Sequence, residues 1–267
     1  MRWPRGYQSF RQLLGALYQT GLSRADATAL AMSHISVVAL GGSLMYSGSE
    51  IDNQWLASAS NIILDYASTG KKIGIVIGGG FLARKNISEA KMSGVTDTFD
   101  LDLVGIEATR ENAEIFRESL ELKNLGVAKH IPTTTEEAAD LLKTFQIVVM
   151  GGTNPGHTTD AVSINLAAQS NSTGCTIATN VDFVYDKAPQ NNPDAIPFEK
   201  MNLDDLQRIV GPPEHMGAGP NVVIDPIGVQ VAIDYGIELA LLNGRDLDNL
   251  AKRLAGETFT GTIIEVN

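Results

Sequence analysis

Short apolar runs that stop on glycine set the rhythm of this chain. Ile35-Ser-Val-Val-Ala-Leu40 ends at Gly41-Gly42, Lys72-Ile-Gly-Ile-Val-Ile77 at Gly78-Gly79-Gly80, and Ile147-Val-Val-Met150 at Gly151-Gly152. Such runs, apolar without alternation and too short for helices, predict strands buried on both faces. Segments of helical period separate them. Residues 52–68 carry Trp55, Leu56, Ala59, Ile62, Ile63 and Tyr66 along one stripe, and further helices are predicted over 81–91, 104–117 and 135–142. Residues 126–130 are expected to be a short strand. Beyond residue 170 the pattern gives strands at 175–180, 238–243 and 262–266, and helices at 202–210, 226–235 and 246–254. Residues 181–185 are expected to be a loop. Residues 186–197, polar with three prolines, read as an excursion, and 211–220 cannot be regular structure.

Strand, glycine turn and helix in alternation predict a mostly parallel sheet with its sites at the strand C-termini. The richest such turn is Gly151-Gly-Thr-Asn-Pro-Gly-His-Thr-Thr-Asp160. Its glycines permit close backbone approach to a ligand, and its amides with Thr153, Asn154, Thr158 and Thr159 can hold phosphate or ribose oxygens. Thr-Thr-Asp is also ordinary helix-capping chemistry. Asp160 stands near one helix start and Asp225, before Pro226, near another. Carboxylates there are favoured by the helix dipole and can face a metal ion or its waters. Arg84 and Lys85 follow the triple glycine, where an arginine can clamp a phosphate or remain a solvated surface group.

Composition narrows the class. The 267 residues are 43% hydrophobic and 19% charged, enough for one large α/β domain. A net charge of −11 argues against nucleic acid or an anionic membrane as partner, while leaving nucleotides open. One cysteine, Cys175, excludes a disulfide framework, and the four histidines include no helical metal-ligand pair. No run reaches the roughly 18 to 20 apolar residues of a membrane span. Residues 1–31 differ from the rest: Arg2, Arg5, Arg11 and Arg24 face a single acid, Asp26. An arginine-bearing, acid-poor leader can be a transit peptide, but these residues read better as an extension, with Met32 the natural start and residues 32–267 the domain.

Gly151-x-x-x-x-Gly156-His157-Thr158 approximates a phosphate-binding loop, with histidine where the lysine would reach the β- and γ-phosphates. No G-x-G-x-x-G dinucleotide fingerprint occurs. The glycine pairs taken together explain more. Leu40-Gly-Gly-Ser43, Gly78-Gly-Gly-Phe-Leu-Ala-Arg84-Lys85, Asp102-Leu-Val-Gly-Ile106 with Thr109-Arg110, the 151–161 loop, Thr179-Asn-Val-Asp182 with Tyr185, Val223-Ile-Asp-Pro226 and Gly261-Thr-Ile-Ile264 stand in an order that resembles the amino acid kinase superfamily. Within it the chain is most similar to archaeal-type uridylate kinases.

The resemblance implies a three-layer α/β/α sandwich and transfer of the ATP γ-phosphate to the phosphate of UMP. By the same carry-over, Gly79, Gly80 and Arg84 hold the UMP phosphate, Asp102 the ribose, and Thr153, Asn154 and Thr159 line that pocket. Gly41, Gly42 and Ser43 lie by the ATP phosphates, with Asn180, Asp182 and Tyr185 at the ATP. Asp160 and Asp225, with Arg84, are the expected catalytic groups, and Mg2+ comes in on the ATP phosphates near Asp160. An acceptor-side lobe of about 32–170, an ATP-side lobe of about 171–267, a homohexamer and a cytoplasmic location are implied likewise. Three positions depart from the family pattern. Ala39 stands where many relatives have lysine, Phe183 replaces a glycine, and Ala188-Pro189 replaces Asp-Pro. They leave open a non-catalytic nucleotide or oxyanion binder of the molybdate-storage kind, or a superfamily kinase for another small acceptor.

Overall fold

The structure is a computed structural model that describes residues 35–121, 126–172, 174–189, 191–214 and 223–266. The predicted extension 1–31, the start at Met32 and most of the 211–220 stretch lie outside the described residues. In chain order the elements are β1 (Ile35–Leu40), a 3-10 turn (Gly42–Met45), β2 (Tyr46–Ser47), β3 (Glu50–Ile51), α1 (Asn53–Ser68), β4 (Lys72–Ile77), α2 (Gly80–Met92), α3 (Thr98–Glu121) and α4 (Thr135–Thr144). Then come β5 (Ile147–Met150), α5 (Thr159–Gln169), β6 (Gly174–Thr179), β7 (Val184–Tyr185), β8 (Pro197–Phe198), β9 (Lys200–Asn202), α6 (Leu203–Val210), α7 (Pro226–Tyr235), β10 (Glu238–Asn243), α8 (Leu247–Ala255) and β11 (Thr262–Glu265).

The helix boundaries follow from capping. Asp52 accepts from the Trp55 amide at 2.9 Å to start α1, and Thr158 accepts from Ala161 at 3.3 Å to start α5. α7 opens on Asp225 with Pro226 in its first turn and closes on Gly236 in the left-handed region, at φ 64°.

Seven strands form one sheet in the order β5-β4-β1-β6-β10-β11-β9. The first five run parallel; β11 is antiparallel to β10, and β9 is parallel to β11. Alternate residues of each strand enter opposite cores. Val37 and Ala39 of β1 join Val76, Ile177 and Leu241 beneath α4, α5, α6 and α7. Val38 and Leu40 join Ile75, Ile77 and Val149 beneath α1, α3 and α8. Helices on both faces of a mostly parallel sheet make the three-layer sandwich expected from the resemblance. Phe116 of α3 is fully buried, which by itself stabilises the helix-to-sheet contact by roughly 1.5–3 kcal/mol.

Two local expectations are corrected. Residues 126–130 form only a single bridge, Val127 to Ile147, its backbone bonds made by Gly126 and Ala128 alone. The 181–185 loop contains β7, paired antiparallel with β8 so that Val184 faces Phe198 and Tyr185 faces Pro197. Two-residue strands carry too little periodicity to be read from sequence.

Candidate active site

Because five neighbouring strands, β5 to β10 in the sheet order, are parallel, their C-terminal ends share one edge of the sheet. From β1 the chain builds outward to β4 and β5, then returns to set β6 on the other flank of β1. Connections leaving in opposite directions at β1 and β6 open a crevice at that edge, the usual binding position in such sheets. The loops along it begin at Gly151, Gly78, Gly41, Asn180 and Gly244.

At the centre, two glycine turns touch through bare backbone. A β-carbon added to Gly42 would lie 2.1 Å from the Gly78 carbonyl oxygen and 2.5 Å from the Gly80 nitrogen. Gly80 also holds φ at +55°, in the left-handed region. Only glycine fits both positions. A buried polar network locks the second turn. Asn112 of α3, fully buried, donates through Nδ2 to the carbonyls of Gly78 at 2.9 Å and Gly79 at 3.0 Å. The Tyr46 hydroxyl donates to Asn112 Oδ1 at 2.7 Å. The amide is thus held by three bonds, and the glycine carbonyls are turned toward α3, away from the crevice.

The 151 loop is fastened from the same helix. Thr109 Oγ1 accepts from the Gly152 amide at 2.6 Å, and Arg110 donates to the carbonyls of Gly152 at 3.2 Å and Thr153 at 3.3 Å. Gly156 donates to Asp102 Oδ2 at 2.8 Å, so one oxygen of this expected ribose ligand also anchors the loop. Thr159 Oγ1 reaches toward Gly78, 3.4 Å from where a β-carbon there would stand. Gly79, Gly80, Asp102, Thr153, Asn154 and Thr159 therefore gather around the N-termini of α2 and α5, two sources of positive backbone potential. Arg84 stands exposed in the second turn of α2, its guanidinium engaged by no described residue.

Asp160 and Asp225 come together where α5 crosses α7. A β-carbon on Gly228 would lie 3.1 Å from Ala161 Cα, so the helix starts lie side by side. Asp225, mostly buried, accepts from the amides of Ile227 at 2.7 Å and Gly228 at 3.3 Å. Asp160 is partly buried as a residue, but its carboxyl is withdrawn from water. That desolvation, reinforced by the Asp225 charge, pushes its pKa up to about 7. A carboxylate pair held this way is short of positive charge.

On the other flank, Asn180 and Tyr185 line a cavity of about 660 Å³, together with Val181, Phe183, Ile209 and Val223. Asp182 lies outside that lining, exposed, with its carboxylate accepting from Asn243 Nδ2 at 2.9 Å. Between the flanks, Gly41 donates to the Ala178 carbonyl at 2.9 Å, and the Ser43 carbonyl accepts from Arg245 at 2.9 Å. Arg245 also donates to Tyr46 O at 2.8 Å and reaches Asp52 at 3.5 Å, tying the β10 turn to the first glycine turn. Asn112, Tyr46 and Arg245 were not among the sequence-predicted site residues. The one available signal was an asparagine amid the apolar stripe of a long helix.

The chain belongs to the amino acid kinase family, whose model matches residues 34–243. Its relatives include the uridylate kinase of Thermoplasma volcanium, 39% identical and aligned over 88% of this chain and 99% of that protein. The uridylate kinase of Methanocaldococcus jannaschii is 36% identical over 85% of this chain and 97% of its own length. Among solved structures, the uridylate kinase from Archaeoglobus fulgidus matches with a TM-score of 0.74 and 33% identity, covering 86% of this chain and 99% of that one. The UMP kinase from Bacillus anthracis, at 24% identity, TM-score 0.70 and coverage of 86% and 95%, shares the fold.

Proposed function

We propose that this protein is a uridylate kinase, transferring the γ-phosphoryl group of ATP to the phosphate of UMP to give UDP and ADP. One observation carries the reading: the glycine loops expected for the acceptor and the cavity expected for the donor open on one sheet edge, and their turns touch at Gly42 and Gly80. Likeness to uridylate kinases over most of the chain supports the acceptor, and kinase relatives of this kind weigh against the non-catalytic binder.

In this reading Gly79, Gly80 and the start of α2 receive the UMP phosphate, with Arg84 folding over it. Asp102, Thr153, Asn154 and Thr159 hold the ribose side and the space between the two phosphates. Gly41, Gly42 and Ser43 meet the ATP phosphates; Asn180 and Tyr185 meet the nucleoside, with Asp182 at the edge of that region. The halves of about 32–170 and 171–267 then serve acceptor and donor. No covalent intermediate is needed, because in-line placement and neutralisation of crowded charge suffice. Ala39 is 3% exposed in the core against Val37, Val76 and Ile177, so no side-chain cation comes from that position. The two helix N-termini and Arg84, with Lys85 beside it, supply positive potential instead.

The Asp160–Asp225 pair fits a divalent cation: the desolvated Asp160 carboxyl, beside the buried Asp225, is relieved by positive charge. Among the described residues no three acidic, histidine or cysteine side chains gather around one point, so Mg2+ would arrive on the ATP phosphates with this pair facing it or its waters. When bound, the ion would offset charge on the transferring phosphoryl group. A cytoplasmic homohexamer in pyrimidine nucleotide synthesis is the accompanying expectation. No described helix is long and apolar enough to cross a membrane.

The test is ADP release by the full chain with Mg2+ and ATP, offered UMP, CMP, AMP, isopentenyl phosphate or acetylglutamate. Turnover selective for UMP is expected. Preference for another acceptor would overturn the substrate, and nucleotide binding without turnover would overturn the enzyme.

A further inference from the structure

The donor-side cavity carries an aromatic wall that follows from one anchoring residue. Val184 is fully buried, and its amide donates to Thr262 Oγ1 at 2.9 Å, between β7 and the closing strand. In extended chain, neighbours on either side of a buried residue face the other way. Phe183 and Tyr185 accordingly both line the cavity, and their rings meet edge to face, centroids 6.2 Å apart at 88°. Pairing of Tyr185 with Pro197 holds the segment in place. The lining also includes aliphatic groups from the end of α6 and the entry to α7. Among them is Ile209, 40% exposed.

Two charged side chains at the rim are engaged with the 191–197 segment, while Thr179, Asn180 and Tyr185 add polar groups to the lining. Asp186 accepts from the Ile196 amide at 2.8 Å, and Lys187 pairs with Asp194 at 2.6 Å. The cavity thus offers a planar ring an aromatic wall and aliphatic side chains, with the Asn180 amide beside them.

We propose that Phe183, braced by Tyr185, is the stacking surface for the base of the donor nucleotide and selects purine over pyrimidine triphosphates by ring area. This rests on the donor-side reading of the 180–185 segment. A bicyclic purine covers more of the wall than a pyrimidine does, and stacking contributes through the ring face without reading the hydrogen-bonding edge. ATP and GTP should then serve comparably, and CTP and UTP poorly.

The test is steady-state kinetics at saturating UMP with ATP, GTP and CTP, for the full chain and for Phe183→Ala, Phe183→Leu and Phe183→Tyr. Phe183→Ala should raise the KM for ATP about tenfold, with kcat and the KM for UMP within twofold of the parent. Its purine preference should shrink. Phe183→Leu, which keeps apolar bulk without the ring, should behave like Phe183→Ala, and Phe183→Tyr should restore the parent values. Calorimetry of a non-hydrolysable ATP analogue should give the same ranking without turnover. A donor KM within twofold of the parent in both Phe183→Ala and Phe183→Leu would overturn the inference, as would equal use of CTP and ATP by the parent. Absence of UMP-dependent turnover in the parent would instead overturn the functional reading beneath it.

Discussion

Gly42 and Gly80 meet backbone to backbone: a β-carbon on Gly80 would stand 2.2 Å from the Gly42 carbonyl carbon. The two residues lie just beyond the ends of β1 and β4, which pair in parallel with Leu40 opposite Ile77. Neighbouring strands thus deliver two turns to one point, and the absence of side chains lets the two glycine loops close against each other.

Gly42→Ala should be poorly tolerated, because the atoms it would strike are main chain and cannot swing away. A drop in turnover of two orders of magnitude or more is expected, with a lowered Tm. Near-normal kcat/KM would show that the turns need not touch during catalysis.

Asp160 links stability to pH. Folded, it holds its proton to about pH 7; its ordinary value is near 3.8. Between those values the folded chain binds the extra proton, so this group's contribution to stability falls as pH rises. Asp160→Asn removes the titration. The variant should melt above the parent at pH 8, the gap should close toward pH 4, and turnover should fall about a hundredfold or more. An offset in Tm independent of pH would contradict the assignment.

Asn112 and Tyr46 should matter although neither faces the crevice. Asn112→Leu would strand the Gly78 and Gly79 carbonyls in a buried place, at about 1–3 kcal/mol. Chemical denaturation should show that loss, and the KM for UMP should rise with it. Tyr46→Phe breaks only the bond to Asn112 Oδ1 and should give a smaller change in the same direction.

Arg84 makes a contrasting case. Exposed and engaged by no described residue, it should contribute little to stability. Arg84→Ala should leave Tm within about a degree or two while cutting turnover about a hundredfold. A large loss of stability would indicate a structural role instead.

The central strands were legible because their apolar runs are continuous and end on glycine. β1 and β4 begin and end at the residues that pattern marks. The glycines also announced the crevice, since parallel strands bring their turns to one edge. Other parts depend on contacts distant in sequence. β7 exists because Val184 finds Thr262, 78 residues on, and Asn112 reaches a turn 34 residues before it. The 126–130 segment shows the reverse error: a glycine followed by a valine and an alanine looks like a strand, yet it has one partner residue and forms one bridge. Phe183 is legible as a departure from the family pattern, but its direction is set by the anchoring of Val184 on Thr262, a contact no local pattern carries.

The most direct measurement is phosphorus NMR of a reaction containing the protein, Mg2+, ATP and UMP. The account predicts that the UMP phosphate singlet decays as the α- and β-phosphate doublets of UDP grow, with ADP appearing at the same rate. ADP accumulating while the UMP singlet stays unchanged would contradict direct transfer from phosphate to phosphate, and with it the central claim.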